Sequence, residues 1–323
     1  EELDGPVVVP PPDPDHDPAA IKDWATSNIY FKPEVQGTGN GDGTGAGDVG
    51  TLTFAESKAD GTTFGRKEGY QCVYFKWGSL IGVSTNTSGT GYDNDNTFLF
   101  IPDLATGKYH KYKVGNVTST PGDIIVNTYL DKATGNTWVN IPCADDSGLP
   151  TGRDKNSLSG IHNPDNYKGD ICRYLSAKRS VNGSGLVNTW QMPVSDMFAG
   201  DDYMELPYTA NGSVWKPHDD YSSGSFVEGI KENGTSQTAN AFMTYMYSPT
   251  GETVYFPASG NRGTTGNLNS TGDYGDYWSS SAANGTNAHP LDFNSYYVDP
   301  AYSYYRAHGY SVRCVRDREN VVP

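Results

Sequence analysis

The C-terminal part of this chain comes as short blocks separated by glycine and asparagine, a punctuation that favours short strands joined by tight turns. Phe256-Pro257-Ala258-Ser259-Gly260-Asn261-Arg262 is followed by Gly266-Asn267-Leu268 and by Gly275-Asp276-Tyr277-Trp278-Ser279-Ser280-Ser281. The run closes with Arg306-Ala307-His308-Gly309-Tyr310-Ser311-Val312-Arg313-Cys314-Val315-Arg316-Asp317. Upstream, Gly50–Phe54, Asn96–Pro102 and Asp123–Asn127 read as strands. The most apolar run, Gln71–Val83, is rich in β-branched and aromatic residues and reads as a buried strand or strand pair.

Helical signals are few. Asp170–Lys178 offers Asp170 as an N-cap and Ile171, Tyr174 and Leu175 as apolar positions. Pro193–Leu206 is a second expected helix, with Ser195 as its cap and Met197, Phe198, Tyr203, Met204 and Leu206 as its apolar positions. The Gly/Asp-rich stretch 37–50 and the polar stretch 208–240 read as loops. No fixed-period repeat is present, which argues against a solenoid.

Residues 1–18 hold six acids, six prolines and no Lys or Arg, and read as an extended acidic tether ahead of residues 19–323. A chain of 323 residues can bury a sizeable core, and its 12% aromatic content supplies the apolar area. The formal net charge of -15 argues against nucleic-acid binding, which needs a basic footprint, and against an anionic membrane as partner. No stretch approaches the roughly 20 apolar residues of a membrane span. The sequence starts without an initiator Met or a signal peptide and reads as a mature or truncated form of an exported protein. In that setting Cys72, Cys143, Cys172 and Cys314 favour two disulfides, with three connectivities open. The absence of a Cys-x-x-Cys pair argues against zinc and iron–sulfur sites.

Catalytic constellations are not visible. There is no Gly-x-Ser-x-Gly elbow, and Ser279, Ser280 and Ser281 have no neighbouring base. His16, His110, His162, His218, His289 and His308 are isolated from one another in sequence. Tyr92-Asp93-Asn94-Asp95-Asn96-Thr97 begins like a calcium loop but lacks the downstream glycine and glutamate of an EF-hand. A looser calcium site from Asp93 and Asp95 stays open beside the plainer account of a hydrated turn. Otherwise no cofactor is expected. Paired carboxylates for glycoside hydrolysis would be distant in sequence, so the chain alone cannot locate them. The strongest lead is aromatic: Tyr296, Tyr297, Tyr302, Tyr304, Tyr305 and Tyr310 crowd one segment together with Asp299. Tyrosine has an apolar face and a polar tip, which suits sugar stacking and protein contacts, and it equally suits packing on a sheet.

The order of the C-terminal blocks resembles the Fibrobacter succinogenes major paralogous domain, a family of bacterial surface proteins. Gly169-Asp170-Ile171-Cys172, Thr189-Trp190-Gln191-Met192-Pro193-Val194-Ser195 and Met197-Phe198 extend the likeness over roughly residues 140–318. Gln191 and Val194 stand where that family usually has Arg and Thr. Tyr70-Gln71-Cys72-Val73-Tyr74-Phe75-Lys76-Trp77-Gly78-Ser79 is similar to extended versions in Bacteroides surface lipoproteins and fimbrillin-like proteins. The resemblance implies a single α+β domain of C-type-lectin-like type, with a mixed, mostly antiparallel sheet, two helices and long loops, related to formylglycine-generating enzymes. It implies Cys172–Cys314 with Cys72–Cys143, while Cys143–Cys172 competes because it closes a shorter loop. It also implies a non-enzymatic adhesion module on the outer cell surface, lipid-anchored or pilus-associated. Its partners would be a glycan or a surface protein, and other fimbrial subunits, with Tyr296, Tyr297, Asp299, Tyr302, Tyr304 and Tyr305 as the binding surface. The alternatives are a formylglycine-type or hydrolytic enzyme and a purely structural pilus subunit.

Overall fold

The computed structural model describes residues 22–25, 28–36, 39–53, 71–84, 97–113, 138, 141–144, 158, 166–181, 190–198, 204–205, 214–217, 242–247, 252–270, 273–294, 296–299 and 302–317. The tether at 1–18 and the strand expected at 123–127 lie outside them. Seven strands come first: β1 (Lys22–Trp24), β2 (Tyr30–Pro33), β3 (Val49–Thr53), β4 (Gln71–Lys76), β5 (Gly82–Ser84), β6 (Phe98–Pro102) and β7 (Tyr109–Lys113). Helix α1 (Ile171–Val181) and a 3-10 turn (Ser195–Phe198) follow. Next are β8 (Met204–Glu205), β9 (Val214–Pro217), β10 (Phe242–Tyr247), β11 (Glu252–Pro257), β12 (Asn261–Arg262) and β13 (Leu268–Asn269). The last are β14 (Gly275–Ala282), β15 (Asn287–Phe293), β16 (Tyr297–Asp299), β17 (Tyr304–Tyr305), β18 (Gly309–Tyr310) and β19 (Val315–Asp317).

The expected α+β, C-type-lectin-like architecture with two helices is therefore corrected. The described residues form antiparallel sheets packed in a sandwich-like fold, with α1 as their one α-helix longer than a turn. The nine-stranded sheet runs β13-β12-β18-β4-β2-β3-β7-β6-β5, and β4 also pairs with β5, so six of its strands close into a ring. A second sheet runs β14-β15-β16-β8, with β17 paired to β15. Ser311 joins the two: its carbonyl accepts from Trp278 N at 3.0 Å and its N–H donates to the Asp276 carbonyl at 3.2 Å. The apolar run 71–83 is the β4–β5 hairpin, and the strands expected at 50–54 and 96–102 are β3 and β6.

The second expected helix fails for a tertiary reason. Pro193 O accepts from Ser280 N at 2.7 Å, and Ser195 N donates to Ser281 Oγ at 3.1 Å. Groups that could start a helix are thus held by β14, and Met204–Glu205 pairs with β16 instead. Sheet contacts override a local propensity of this size. By contrast α1 forms where its cap predicts. Asp170 Oδ1 accepts from the N–H groups of Cys172 and Arg173, at 2.8 and 3.1 Å.

The core is built on fully buried Trp77, Trp138 and Trp278, with Tyr74, Tyr109 and Tyr310 around them. Three buried arginines donate to main-chain carbonyls: Arg262 to Ser84 and to nearby Gly266, Arg306 to Asn287 and Asn284, and Arg313 to Ala25. Arg306 also lies over the Trp77 ring at 4.3 Å. The short C-terminal blocks are stitched to the N-terminal sheet by these contacts. Gly275 is required where it stands, because an added Cβ would come within 2.0 Å of the Phe293 ring on the paired strand.

Candidate functional site

Strands β14, β15 and β16 bring three carboxylates into one row. Asp276 is the register partner of Asp292, and Asp292 is the register partner of Asp299. Directly opposed residues project on the same face, with Cβ atoms about 4.5–5.5 Å apart. All three are buried, at 2%, 3% and 8% exposure. Asp276 Oδ2 accepts from Asn261 Nδ2 at 2.7 Å, and Asp292 Oδ1 accepts from the Tyr297 hydroxyl at 3.2 Å. Among the described residues no Lys or Arg forms an ion pair with Asp276 or Asp292. Burial pushes the Asp276 carboxyl up to about 7. Burial and then the neighbouring Asp276 charge push Asp292 up to about 8.

An aromatic layer covers the row. Burial, followed by the Asp292 charge, holds the Tyr297 hydroxyl far above the ordinary tyrosine range. Tyr304 is raised by burial and then by Tyr302. The Tyr302 and Tyr304 rings pack at a tilt with centroids 4.8 Å apart, and Tyr304 meets Tyr310 edge-on at 5.8 Å. The Tyr310 ring lies 4.3 Å from that of Trp278. His308 sits 4.9 Å from Tyr304, and burial lowers it to about 4, so it is neutral at physiological pH. The segment is anchored by its main chain: His289 Nδ1 lies 3.0 Å from Tyr302 O, and Asn294 Oδ1 accepts from the N–H groups of Tyr296 and Tyr297.

The residues expected to bind a ligand are thus divided between two layers. Tyr296, Tyr302 and Tyr305 are 81%, 40% and 57% exposed. Tyr297 and Tyr304 are half-buried, and Asp299 is buried in the carboxylate row. Asp276 and Asp292 were not legible as a pair. Their signal was weak: an acid flanked by large apolar side chains in strand sequence, as in Asp276-Tyr277-Trp278 and Leu291-Asp292-Phe293. Ser279, Ser280 and Ser281 are buried structural residues. The Ser279 hydroxyl donates to His289 O, and Ser280 O accepts from Leu158 N at 3.2 Å.

Cys172 and Cys314 form a disulfide that ties α1 to the residue just ahead of β19, and this rules out Cys143–Cys172. The Cys72 side chain lies outside the described residues, and the expected Cys72–Cys143 pair lies outside them with it. Cys143 is half-buried near Lys76, whose ammonium donates to Trp138 O and Ile141 O and is lowered to about 8 by burial. Asp93 and Asp95 also lie outside the described residues. In the Gly/Asp-rich loop, Asp48 Oδ2 accepts from Asn40, Gly41 and Asp42 N–H, and Lys111 stands 3.4 Å from Oδ1. Among the described residues no cluster of His, Cys, Asp and Glu is arranged to hold a metal. No described helix is long and apolar enough to cross a membrane. No family model, curated protein or solved structure matches this chain.

Proposed function

We propose that this chain is an exported, non-enzymatic binding module of a bacterial cell surface, holding a glycan on the tyrosines of the β15–β17 region. The carrying observation is the location of exposed apolar surface. Among the described residues four large hydrophobic side chains are exposed, and Tyr296, Tyr302 and Tyr305 are three of them, within ten residues of one another. Exposed aromatics gathered on one segment are a feature of interaction surfaces. A tyrosine ring supplies a face for a sugar's C–H surface, while its hydroxyl reaches the sugar hydroxyls. Export is supported by the Cys172–Cys314 disulfide, since such bonds persist in oxidising compartments. The adhesion role, on a fimbrial tip or surface lipoprotein, rests on the likeness of the C-terminal blocks to the Fibrobacter succinogenes major paralogous domain. The test is a glycan array probed with the full chain, where binding to a defined set of sugars is expected. An array with no signal would turn the reading to a protein ligand or a structural subunit.

A hydrolase is the second reading, favoured by the Asp276–Asp292 pair. Two adjacent carboxyls raised toward neutrality form the kind of pair that acid–base catalysis uses. Both are almost fully buried beneath tyrosines, however, which favours binding over hydrolysis. Release of reducing sugar from any array-positive glycan would reverse that preference.

A further inference from the structure

We propose that His308 is the hydrogen-bonding centre of the tyrosine surface, its Nε2–H held ready for the carbonyl oxygen of an acetamido group, so that the glycan taken there carries N-acetylhexosamine. This rests on the reading of that surface as a glycan site and names the sugar it takes.

His308 sits in the tight turn between β17 and β18. Its N–H donates to Tyr305 O at 2.9 Å, which closes the turn over residues 305–308. Both ends of the turn are fixed to sheets, β17 to β15 and β18 to β4 and β12. The backbone thus delivers the imidazole among the aromatic rings. Its centroid lies 4.9 Å from that of Tyr304 and 6.2 Å from that of Tyr305, and Tyr304 meets Tyr302 at 4.8 Å. Tyr302, Tyr304, His308 and Tyr305 therefore form one continuous shelf, exposed at both end tyrosines.

The two nitrogens of His308 have different tasks. Nδ1 lies 3.2 Å from the hydroxyl of Tyr310, a residue only 1% exposed. Among the described residues that hydroxyl has no second partner, so its hydrogen is satisfied when it donates to Nδ1. The reverse arrangement would leave a phenolic hydrogen unpaired in the interior. Burial keeps the imidazole neutral at physiological pH, lowering it to about 4. A neutral ring that accepts at Nδ1 carries its proton on Nε2. With Nδ1 turned to the buried hydroxyl, Nε2 lies on the edge that half-buried His308 keeps toward solvent. It is accordingly not one of the buried polar atoms that lack a partner. The surface presents a fixed donor flanked by tyrosine rings.

Such a donor complements a group that accepts a hydrogen bond and carries apolar surface beside the acceptor. An acetamido substituent supplies both, a carbonyl oxygen for Nε2–H and a methyl group for the face of a tyrosine ring. A sugar hydroxyl at the same carbon supplies no methyl and is itself a donor that needs an acceptor. One hydrogen bond of this kind favours the acetamido sugar about two- to tenfold.

The experiment uses the full chain with nitrogen-labelled histidine. Long-range proton–nitrogen spectra, with the His308 signals assigned by their loss in His308→Phe, should show Nδ1 unprotonated and Nε2 protonated before any sugar is added. Tyr310→Phe, which removes the positioning hydroxyl, should move both nitrogens toward the average of the two tautomers. Chitotriose and cellotriose share a backbone and differ by acetamido against hydroxyl, and N-acetylgalactosamine and galactose make a second such pair. At least one acetamido sugar should bind the wild type tighter than its counterpart by the factor above and shift the Nε2–H resonance. His308→Phe keeps a ring in the shelf and should bind both members of that pair equally, while Tyr310→Phe should show a reduced preference. An Nδ1–H tautomer, equal binding within both pairs by the wild type, or a preference that survives His308→Phe would overturn the assignment. Failure of both acetamido sugars beside a positive glycan array would overturn it and leave the glycan reading standing. A blank array would remove the glycan reading itself, and the assignment with it.

Discussion

Trp77 and Trp278 exchange hydrogen bonds across the fold. The Trp77 indole N–H donates to Ser279 O, and the Trp278 indole N–H donates to Phe75 O, each at 2.9 Å. Each ring thus reaches the main chain next to the other, about 200 residues away in sequence. Both rings are fully buried, so their N–H groups cannot turn to water instead. The exchange joins the apolar hairpin of the first half to the Tyr-Trp-Ser-Ser block of the second. It explains why both sequences carry tryptophan rather than a plain hydrocarbon.

Trp278→Ala should lower stability by about 3–5 kcal/mol, through the cavity it leaves against Tyr310. Trp278→Phe refills most of the volume but strands the buried Phe75 carbonyl, at about 1–3 kcal/mol. Urea midpoints separate the two. Equal losses for both variants would mean that the hydrogen bond, not the packing, dominates.

Reducing the Cys172–Cys314 bond releases a link between positions 142 residues apart. Removal of a native disulfide costs about 2–5 kcal/mol in small secreted domains, and a similar loss is expected here. The paired substitution Cys172→Ser and Cys314→Ser should reproduce the effect of reductant on the melting temperature. A reductant effect that persists in this double variant would point to a second bond, through Cys72 and Cys143.

What the sequence made legible was local and strongly signalled. Asp170 before an apolar Ile171-Tyr174-Leu175 face carries its own start signal, and α1 begins there. Short apolar runs likewise foretold β3 and β6, and the glycine-bounded aromatic run 71–83 foretold the β4–β5 hairpin. The Pro193–Leu206 segment misled because its apolar residues serve a sheet: buried Phe198 packs on Trp24 and Phe256, rather than along a helix face. The carboxylate row was hidden for a similar reason. Asp276, Asp292 and Asp299 become neighbours only through strand register, which no local pattern reports.

Asp170 links α1 to the 190–195 segment, because its Oδ2 accepts from Met192 N at 2.9 Å while Oδ1 caps the helix. Burial raises this carboxyl, against the lowering effect of the N–H groups of Met192, Arg173 and Cys172 and of the Arg173 charge. Asp170→Ala should cost about 1 kcal/mol for the cap and about 1–3 kcal/mol for the orphaned Met192 N–H. Asp170→Asn keeps one acceptor oxygen and should fall between the alanine variant and the wild type in thermal denaturation. An asparagine variant as unstable as the alanine variant would show that the charge beside Arg173 dominates.

His308 titrates in the opposite sense to Asp276 and Asp292. Burial lowers its folded value to about 4, below the ordinary 6.5, so the unfolded chain binds its proton first. Its contribution to stability is present above about 6.5 and is lost as pH falls through about 4. His308→Gln keeps a polar partner for Tyr310 and should flatten the acid side of the stability profile. An unchanged acid limb in that variant would assign the acid loss to other groups.

The tyrosine surface makes a prediction that separates exposed rings from half-buried ones. Tyr302 and Tyr305 present apolar area to solvent, whereas Tyr304 packs against Tyr310 and His308. Tyr302→Ala and Tyr305→Ala should therefore leave the melting temperature nearly unchanged and weaken glycan binding. A stacking contact contributes about 0.5–1.5 kcal/mol, or roughly two- to tenfold in affinity for each ring. Tyr304→Ala should lower stability as well, because it opens the layer above Asp276 and Asp292. Single-site affinity built from so few contacts is weak, so binding should rise steeply when the chain is displayed in many copies. Array signals for monomeric and bead-coupled protein, set beside melting curves for the three variants, check each step. Full binding by a Tyr302→Ala, Tyr305→Ala double variant would move the site off this segment.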